Sequence, residues 1–189
     1  MSKVLILAGD AAEDLETMFI KYRLAEADYA PHVAAPTMRP IKLVVHDFEP
    51  DWDTYVERQG RTCPVDVTFA EVDPAAYVAL VIPGGRAPEY LRMNKQVIGI
   101  VQHFSRENKP IAAVCHGAQL LAATGLIKGR KVSAYPACQV EVELAGAEYM
   151  GIAVDQAVTD GNLVTAPAWP AHPAWIAQFL AVLGTRISV

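Results

Sequence analysis

The feature that most constrains this chain is a short apolar run, residues 111–114, that ends at a single cysteine, Cys115. The residues after Gly117 carry the apolar face of a helix. Ala113 and Gly117 lie two residues before and two residues after the cysteine. Small side chains at those places permit a sharp turn from strand to helix, because larger ones would collide across it. The pattern therefore predicts a strand, a cysteine nucleophile elbow and a helix, in that order.

The predicted place of Cys115, at the N-terminus of a helix, has a consequence for its chemistry. Unpaired backbone N–H groups and the helix dipole favour an anion there. We therefore expect a lowered pKa for Cys115 and a thiolate that acts as a nucleophile. The alternative is a buried structural cysteine, but His116 and Gly117 are unusual residues for a protein core.

The rest of the chain alternates between short apolar runs and helical patterns. Runs typical of strands lie at residues 4–8, 32–36, 65–69, 79–83 and 131–135. Helical patterns lie at residues 13–27, 94–107, 136–145 and 173–183. Two hairpins are also expected. One contains a strand at residues 41–45, and in the other Asp160-Gly161-Asn162 joins residues 153–158 to 163–166.

This alternation predicts an α/β, flavodoxin-like sandwich with a mostly parallel central sheet, in which residues 1–189 form a single domain. The chain has 189 residues, of which 52% are hydrophobic and 20% charged, so it can bury a sizeable core. Its net charge is -5 and it has no basic patch, which excludes nucleic acid as a partner.

The cysteines and the N-terminus bear on the compartment. Three widely separated cysteines argue against a disulfide framework and for a reducing environment. We find no signal peptide and no apolar run long enough to span a bilayer. The expectation is a cytoplasmic protein without a membrane partner, in which Cys63 and Cys138 are ordinary core residues.

Three of the predicted strands end in residues suited to a ligand site: Gly9-Asp10, Gly84-Gly85 and Cys115. In mostly parallel sheets, ligands bind beyond the carboxyl ends of the strands. Two glycines directly after a strand let backbone N–H groups face a site. Acyl and aldehyde chemistry requires such donors for a developing oxyanion. We therefore expect these three strand ends to meet at one site.

Other polar residues are interpreted more plainly. Glu13 and Asp14 are expected to serve the N-terminus of the first helix, where the dipole favours carboxylates. The histidines and carboxylates of residues 32–64 show no metal-ligand spacing, so no metal site is predicted. Two interpretations stay open for Trp169 and His172: they line a pocket, or they pack beneath and cap the last helix.

The chain resembles the ThiJ/PfpI superfamily, which includes the Parkinsonism-linked redox protein and has the class I glutamine-amidotransferase-like fold. The resemblance covers nearly the whole chain. Three motifs carry it, in this order: Glu13-Asp14-Leu15-Glu16, residues 83–89 and residues 113–117. Residues 46–61 and 169–173 are similar to the branch of plant-type glyoxalase III and bacterial general stress proteins.

The resemblance implies roles for individual residues. Cys115 matches the elbow cysteine of the family, and Glu16 matches the carboxylate that hydrogen-bonds the thiol. His116 and Glu89 match the histidine and the acid of a peptidase-like triad, in which the acid comes from a neighbouring subunit. Tyr135 matches a tyrosine that lines the pocket. The resemblance thus implies a homo-oligomer with a site near the subunit interface.

Charged, proline and aromatic side chains follow the Gly84-Gly85 turn at residues 86–91, expected as a rim loop. This mixture suits an interface with a polar edge. Glu89 lies in this segment.

Members of the superfamily are described as glyoxalases, protein deglycases, intracellular proteases and redox chaperones. The leading hypothesis is a cofactor-independent glyoxalase or deglycase that acts on methylglyoxal, glyoxal or a glycated substrate. Cys115 would form a hemithioacetal, Glu16 would move the proton, and N–H groups at Gly84-Gly85 and His116 would hold the oxyanion. The alternatives are a PfpI-type cysteine peptidase or amidase, and a redox-sensing chaperone that uses the same cysteine.

Overall fold

Seven strands form a mostly parallel sheet at the centre of the computed structural model, which describes residues 1–185. The strands of the chain, in order, are β1 Ser2–Leu7, β2 Tyr29–Ala35, β3 Ile41–Asp47, β4 Val56–Cys63, β5 Val67–Thr68, β6 Ala79–Ile82, β7 Ile111–Val114, β8 Lys131–Val132, β9 Glu148–Tyr149, β10 Val158–Asp160 and β11 Leu163–Ala166. The strand order in the central sheet is β10, β11, β7, β6, β1, β2, β5. Within the central sheet of residues 1–185, β10 alone runs antiparallel to its neighbour. The predicted α/β fold with a mostly parallel sheet is confirmed.

The described residues form six α-helices. They are α1 Asp14–Glu26, α2 Ala87–Leu91, α3 Lys95–Arg106, α4 Gly117–Thr124, α5 Gln139–Leu144 and α6 His172–Val182. The crossovers from β1 to β2 and from β6 to β7 run in opposite directions across the sheet. Since such crossovers are right-handed, α1 and α3 lie on opposite faces. Contacts join α1 to α6 and α4 to α2, α3 and α5.

The direction of the crossovers reverses between β1 and β6, which lie side by side at the middle of the sheet. Ligands bind at such a switch point, beyond the carboxyl ends of the strands. The strand β7, which carries the elbow cysteine at its end, lies next to β6, with Ile82 opposite Ala113. All residues of β6 and β7 are buried, as the continuous apolar runs predicted.

The predicted side hairpin is confirmed as β3 and β4, which pair outside the central sheet. The hairpin is tied to the segment that leads into α1: the Val44 N–H donates to the Ala12 carbonyl over 3.0 Å. It therefore lies close to the carboxyl edge of the sheet. The second hairpin, β10 with β11, is also confirmed, with Asp160 opposite Leu163.

Two predicted strands are shorter than expected, because their backbone groups bind elsewhere. The strand predicted at residues 131–135 ends at Val132 and pairs with β9. Beyond it, the Ser133 N–H donates to Thr165 Oγ1 over 2.9 Å, and the Tyr135 N–H donates to the Cys115 carbonyl over 3.3 Å. The run at 153–158 is largely a turn, since the Gln156 N–H donates to the Ala153 carbonyl over 3.0 Å.

Two further predictions are corrected. The strand predicted at residues 65–69 is limited to β5. Before β5, the Asp66 side chain, not a backbone carbonyl, accepts the Val33 N–H of β2 over 2.8 Å. The expected rim loop at residues 86–91 is the short helix α2, whose first turn contains Pro88, a position that proline favours. Within residues 1–185, no helix combines the length and apolarity needed to cross a bilayer.

Candidate active site

The predicted turn from strand to helix is confirmed at Cys115. The residue lies between β7 and α4 with a positive φ of 58°, a conformation that a non-glycine residue adopts at some cost. The turn is tight because Gly117 packs on the neighbouring strand: a Cβ there would lie 2.5 Å from the Ile82 carbonyl oxygen. The elbow therefore requires glycine at this position, and it turns Cys115 toward the carboxyl edge of the sheet.

Glu16 lies beside this cysteine. It is fully buried in the first turn of α1, and its Oε2 accepts the Gly84 N–H over 2.6 Å. Gly84 leaves room for the pair, because a Cβ there would lie 2.6 Å from both Cys115 Cβ and Glu16 Oε2. Glu16 Oε1 has no hydrogen-bond partner in the described chain. One carboxylate oxygen is thus fixed, and the other is buried beside the Cys115 thiol. Burial and the charge of Glu13 raise the pKa of Glu16, and the thiol lowers it by less.

The position of Glu16 corrects one prediction about Gly84. Gly84 was expected to contribute to the oxyanion site, but its N–H already binds the Glu16 carboxylate. It therefore positions Glu16 and leaves space beside Cys115. The N–H groups of His116 and Gly85 face the sulfur of Cys115 and are the donors that a developing oxyanion could use.

The pKa of Cys115 does not follow the prediction. Burial and the neighbouring charge of Glu16 raise it well above its ordinary value, and the N–H groups of His116 and Gly85 lower it by less. The helix N-terminus is real, but sequence reasoning omitted the desolvation of the thiol and the carboxylate beside it. These effects favour the thiol form of Cys115 over the thiolate that the sequence predicted.

His116 is the acceptor within reach of the thiol proton. Its Nδ1 lies 3.2 Å from Cys115 Sγ, so these sequence neighbours do meet at the elbow. Burial lowers the pKa of His116 to about 4, and the imidazole is neutral at physiological pH. A neutral ring beside a thiol can accept its proton transiently, and the pKa of about 4 makes that imidazolium a strong acid that gives the proton on.

Glu13 has a role that the sequence analysis missed. Its Oε2 caps α1 by accepting the Glu16 N–H over 2.8 Å, as expected of a helix-start carboxylate. It also lines the cavity around Cys115, and its Oε1 is buried without a partner in the described chain. Burial raises the pKa of Glu13 to about 7, and burial together with the charge of Glu13 raises that of Glu16 to about 8.

Aromatic rings form the wall opposite the carboxylates. The ring of Tyr135 stacks on His116 at a centroid distance of 4.8 Å, so the predicted lining residue is in the site. Tyr55 meets His116 edge-on at 5.7 Å and stacks on His46 at 4.1 Å. Neither Tyr55 nor His46 was singled out from the sequence. Two signals could have found them: the acidic and aromatic composition of residues 46–53, and the resemblance of residues 46–61 to one branch of the superfamily. The strands β3 and β4 bring this stretch over the site.

A series of polar contacts holds His46 in place. His46 Nε2 lies 3.3 Å from Glu57 Oε2, and Arg86 Nη2 donates to Glu57 Oε1 over 2.7 Å. Burial lowers the pKa of His46 despite Glu57, so the ring is neutral. The hairpin is thereby linked to the segment after Gly84-Gly85.

Glu89 lies apart from these groups. It is exposed on α2, and within residues 1–185 its side chain makes no hydrogen bond or ion pair with His116. This placement leaves open the neighbouring-subunit role that the resemblance implies. Within the chain, the acidic group that acts on His116 is Glu141, which raises its pKa against the larger effect of burial.

The structure separates the two residues whose interpretation was open. Trp169 lines the cavities beside Cys115. His172 packs in the interior at the start of α6, where its ring stacks on Phe19 at 5.2 Å. The pocket interpretation therefore holds for Trp169. His172 packs in the interior, but its side chain does not cap α6, because the N-cap is Ala171 and has no side-chain hydrogen bond.

Two adjoining cavities open at this edge of the sheet. The first, of about 20 Å³, contains Glu13, Glu16, Cys115 and His116 in its wall. The second, of about 390 Å³, shares four lining residues with it: Phe48, Tyr135, Ala168 and Trp169. Residues 1–185 contain no group of three or more His, Cys, Asp or Glu side chains placed to hold a metal ion. Cys63, Cys115 and Cys138 are all free thiols.

The fold and the site define a class: α/β proteins with a buried cysteine on an elbow, beside carboxylates, at the carboxyl edge of a parallel sheet. Residues 2–182 match the model of the DJ-1/PfpI family. The chain therefore belongs to the DJ-1/PfpI family, and the resemblance seen in the sequence is confirmed.

Individual relatives agree with this assignment. The protein DJ-1 homolog D of Arabidopsis thaliana is 42% identical over 190 residues, which are 98% of this chain and 49% of the plant protein. This chain thus spans about half the length of that relative. A deglycase of Thermococcus kodakarensis is 36% identical over 185 residues, 96% of this chain and 99% of its own length.

A solved structure is similar as well. It is a two-domain protein of Anabaena variabilis that contains DJ-1/ThiJ/PfpI-like and ferritin-like domains. Its TM-score is 0.83 at 30% sequence identity, and the match covers 97% of this chain and 48% of that one.

Proposed function

We propose that this protein is a cofactor-independent glyoxalase of the deglycase type, which converts 2-oxoaldehydes such as methylglyoxal to 2-hydroxy acids. One observation carries the proposal: a thiol, a neutral imidazole and a carboxyl with a free oxygen line one small buried cavity, at Cys115, His116 and Glu16. The deglycase name of the archaeal relative supports it. The reaction needs a nucleophile, a base and a group that carries a proton between two carbons.

In the first step, Cys115 Sγ adds to the aldehyde carbon and its proton passes to His116 Nδ1, 3.2 Å away. The carbonyl oxygen becomes an oxyanion that the N–H groups of His116 and Gly85 can hold. Protonation of this oxygen gives the hemithioacetal. Because the imidazole is neutral at the start, no second proton has to leave the site first.

In the second step, Glu16 acts as base and then as acid. Its carboxylate takes the proton from C1 of the hemithioacetal and returns a proton to C2 through an enediol, which leaves a thioester of the 2-hydroxy acid. Water then hydrolyses the thioester and regenerates the thiol. C1 is oxidised and C2 is reduced, so the reaction needs no external oxidant or reductant. The pKa of about 8 at Glu16 suits a proton carrier near neutral pH.

Deglycation is an extension of the same chemistry. Early adducts of methylglyoxal with thiols and amines are in equilibrium with the free aldehyde, and removal of the aldehyde reverses them. The same three side chains would serve both reactions.

A second candidate is a cysteine hydrolase of amide bonds, which the contact between Cys115 and His116 favours. A catalytic triad requires a carboxylate that is hydrogen-bonded to the second nitrogen of the histidine. Within the described chain, His116 has no such partner. This candidate therefore depends on Glu89 arriving from another subunit.

We also propose that the protein works as a homo-oligomer in a reducing compartment, which its three free cysteines suit.

The test is turnover of methylglyoxal by the purified protein in the absence of glutathione, followed as lactate. We expect lactate from the wild type and from Cys63→Ala, whose thiol is a buried core group, and none above background from Cys115→Ala. A fluorogenic peptide assay of the same samples covers the second candidate. Cleavage of the peptide without lactate formation would replace the glyoxalase proposal with the hydrolase.

A further inference from the structure

The larger cavity beside the site is lined by uncharged, mostly apolar residues. Its volume is about 390 Å³, and none of its ten lining residues carries a charge. Four of them are the aromatic residues Phe48, Tyr135, Tyr149 and Trp169. The hydroxyl of Tyr149 donates to the Ala134 carbonyl over 3.2 Å, so its ring is what this residue offers to the cavity. A wall of this kind selects apolar groups, because it would leave polar groups without partners.

The cavity around Cys115 is too small to hold a large substrate by itself. Its volume of about 20 Å³ has room for about one water-sized group. The two cavities share four lining residues, with Tyr135 and Trp169 among them. Whatever is attached to the reacting carbons therefore extends past Tyr135 into the larger space. An apolar cavity of roughly 150 Å³ already accepts a benzene ring, so the space here is ample.

We propose that the larger cavity binds an aromatic or bulky apolar substituent of the substrate, so that arylglyoxals are preferred to methylglyoxal. This inference rests on the proposed glyoxalase function and narrows its substrate class. The chemistry is unchanged: Cys115 adds to the aldehyde carbon, a proton moves from C1 to C2, and water releases the acid. An arylglyoxal and one water thus give one aryl 2-hydroxy acid. The ring of the substrate would occupy the larger cavity, which Tyr149 and Trp169 line, with its aldehyde carbon at Cys115.

The first arm of the test compares kcat/KM for phenylglyoxal and methylglyoxal without glutathione. Burial of a ring predicts a ratio of at least about ten in favour of phenylglyoxal. Val154→Asp places a carboxylate in the wall of the cavity and should lower that ratio about tenfold. Val140→Asp is the matched control, because Val140 is similarly exposed, 63% against 55% for Val154, and does not line the cavity. A ratio near one that Val154→Asp leaves unchanged would overturn the proposal.

The second arm measures binding without chemistry. In Cys115→Ala protein, isothermal titration should show mandelate, an aryl 2-hydroxy acid, binding at least about tenfold more tightly than lactate. Adding Val154→Asp should remove the difference. Equal binding of the two acids would defeat the cavity assignment even if both aldehydes are turned over. If neither aldehyde is turned over but mandelate keeps its advantage, the glyoxalase function fails and the assignment of the cavity to an apolar ring stands.

A third measurement addresses another occupant of the cavity. Light scattering gives the mass of Val154→Asp beside that of the wild type. An unchanged mass with a reduced aryl preference supports the substrate subsite. A fall in mass with loss of both activities would assign the cavity to a contact between copies of this chain and overturn the proposal.

Discussion

At the scale of single residues, the site brings three acidic side chains together where they are shielded from water. Glu13, Glu16 and Cys115 are each almost fully buried, and burial raises the pKa of all three. Three anions this close together in a low dielectric would repel one another strongly. The cluster therefore retains protons at neutral pH, and it is suited to moving them between neighbouring groups.

The pH dependence of turnover follows from these shifts. An acid with a raised pKa is protonated below that pKa, so its base form appears as pH rises through about 7 to 8 for Glu13 and Glu16. We expect kcat/KM for methylglyoxal to rise across this range, after the background rate of Cys115→Ala has been subtracted at each pH. Glu13→Gln should move the rise to lower pH, because the charge of Glu13 raises the pKa of Glu16. A profile that is flat between pH 5 and 9 would contradict the assignment of Glu16 as base.

Alkylation of Cys115 provides an independent test of the same cluster. Cys115 lines a cavity and keeps 5% of its surface exposed, whereas Cys63 and Cys138 are 0% and 1% exposed. Iodoacetamide at pH 8 should therefore label Cys115 first, as mapped by mass spectrometry. Glu16→Gln should accelerate this labelling, because the charge of Glu16 raises the pKa of the thiol. Slower labelling in the glutamine variant, or preferential labelling of Cys138, would show that the cluster is described wrongly.

At the scale of elements, the sequence predicted the parts that short apolar runs and small residues specify. The strands β6 and β7 and the last four residues of β1 are buried. Their apolar runs, and the small residues on either side of Cys115, could be read from the chain, although the contact of Gly117 with Ile82 could not. The aromatic wall at His46 and Tyr55 could not, because β3 and β4 reach the site through long-range pairing. The low pKa expected for Cys115 also failed, since desolvation and the charge of Glu16 depend on the assembled fold.

The elbow makes a prediction about stability. A Cβ on Gly117 would lie 2.5 Å from the Ile82 carbonyl oxygen, whereas a Cβ on Gly99, within α3, has no atom within 4 Å. Gly117→Ala should therefore lower the free energy of unfolding by about 1–3 kcal/mol, because backbone must shift. Gly99→Ala should raise it by about 0.5–1 kcal/mol, because alanine favours a helix. Urea unfolding measures both. An equal effect of the two changes would show that the contact with β6 is unimportant.

At the scale of the whole molecule, the described chain places no carboxylate in hydrogen-bond contact with His116. His116 meets the thiol on one side, while the acid that the family resemblance assigns to it, Glu89, is exposed on α2. An exposed residue is free to reach a neighbour. The family resemblance predicts that Glu89 of one copy lies beside His116 of another in an assembly, and this stays a prediction.

This arrangement predicts complementation between inactive chains. If Glu89 of a neighbouring copy orients His116, Cys115→Ala should abolish methylglyoxal turnover and Glu89→Ala should weaken turnover or assembly. Mixing the two oligomers after mild dissociation should restore part of the turnover, since each supplies the group that the other lacks. Light scattering checks that the mixed species forms. Full activity of Glu89→Ala alone, or a fully active wild-type monomer, would remove Glu89 from the mechanism and leave the chain self-sufficient.

The central claim is that Cys115 and Glu16 together convert a 2-oxoaldehyde to a 2-hydroxy acid. The most direct measurement is proton NMR of methylglyoxal incubated without glutathione with wild-type protein or with Glu16→Gln, which keeps the shape of the side chain and an acceptor for the Gly84 N–H. We expect lactate from the wild type and at least about a hundredfold less from the glutamine variant, the scale of a lost general base. Lactate at a near-normal rate from Glu16→Gln, or none from the wild type, would contradict the claim.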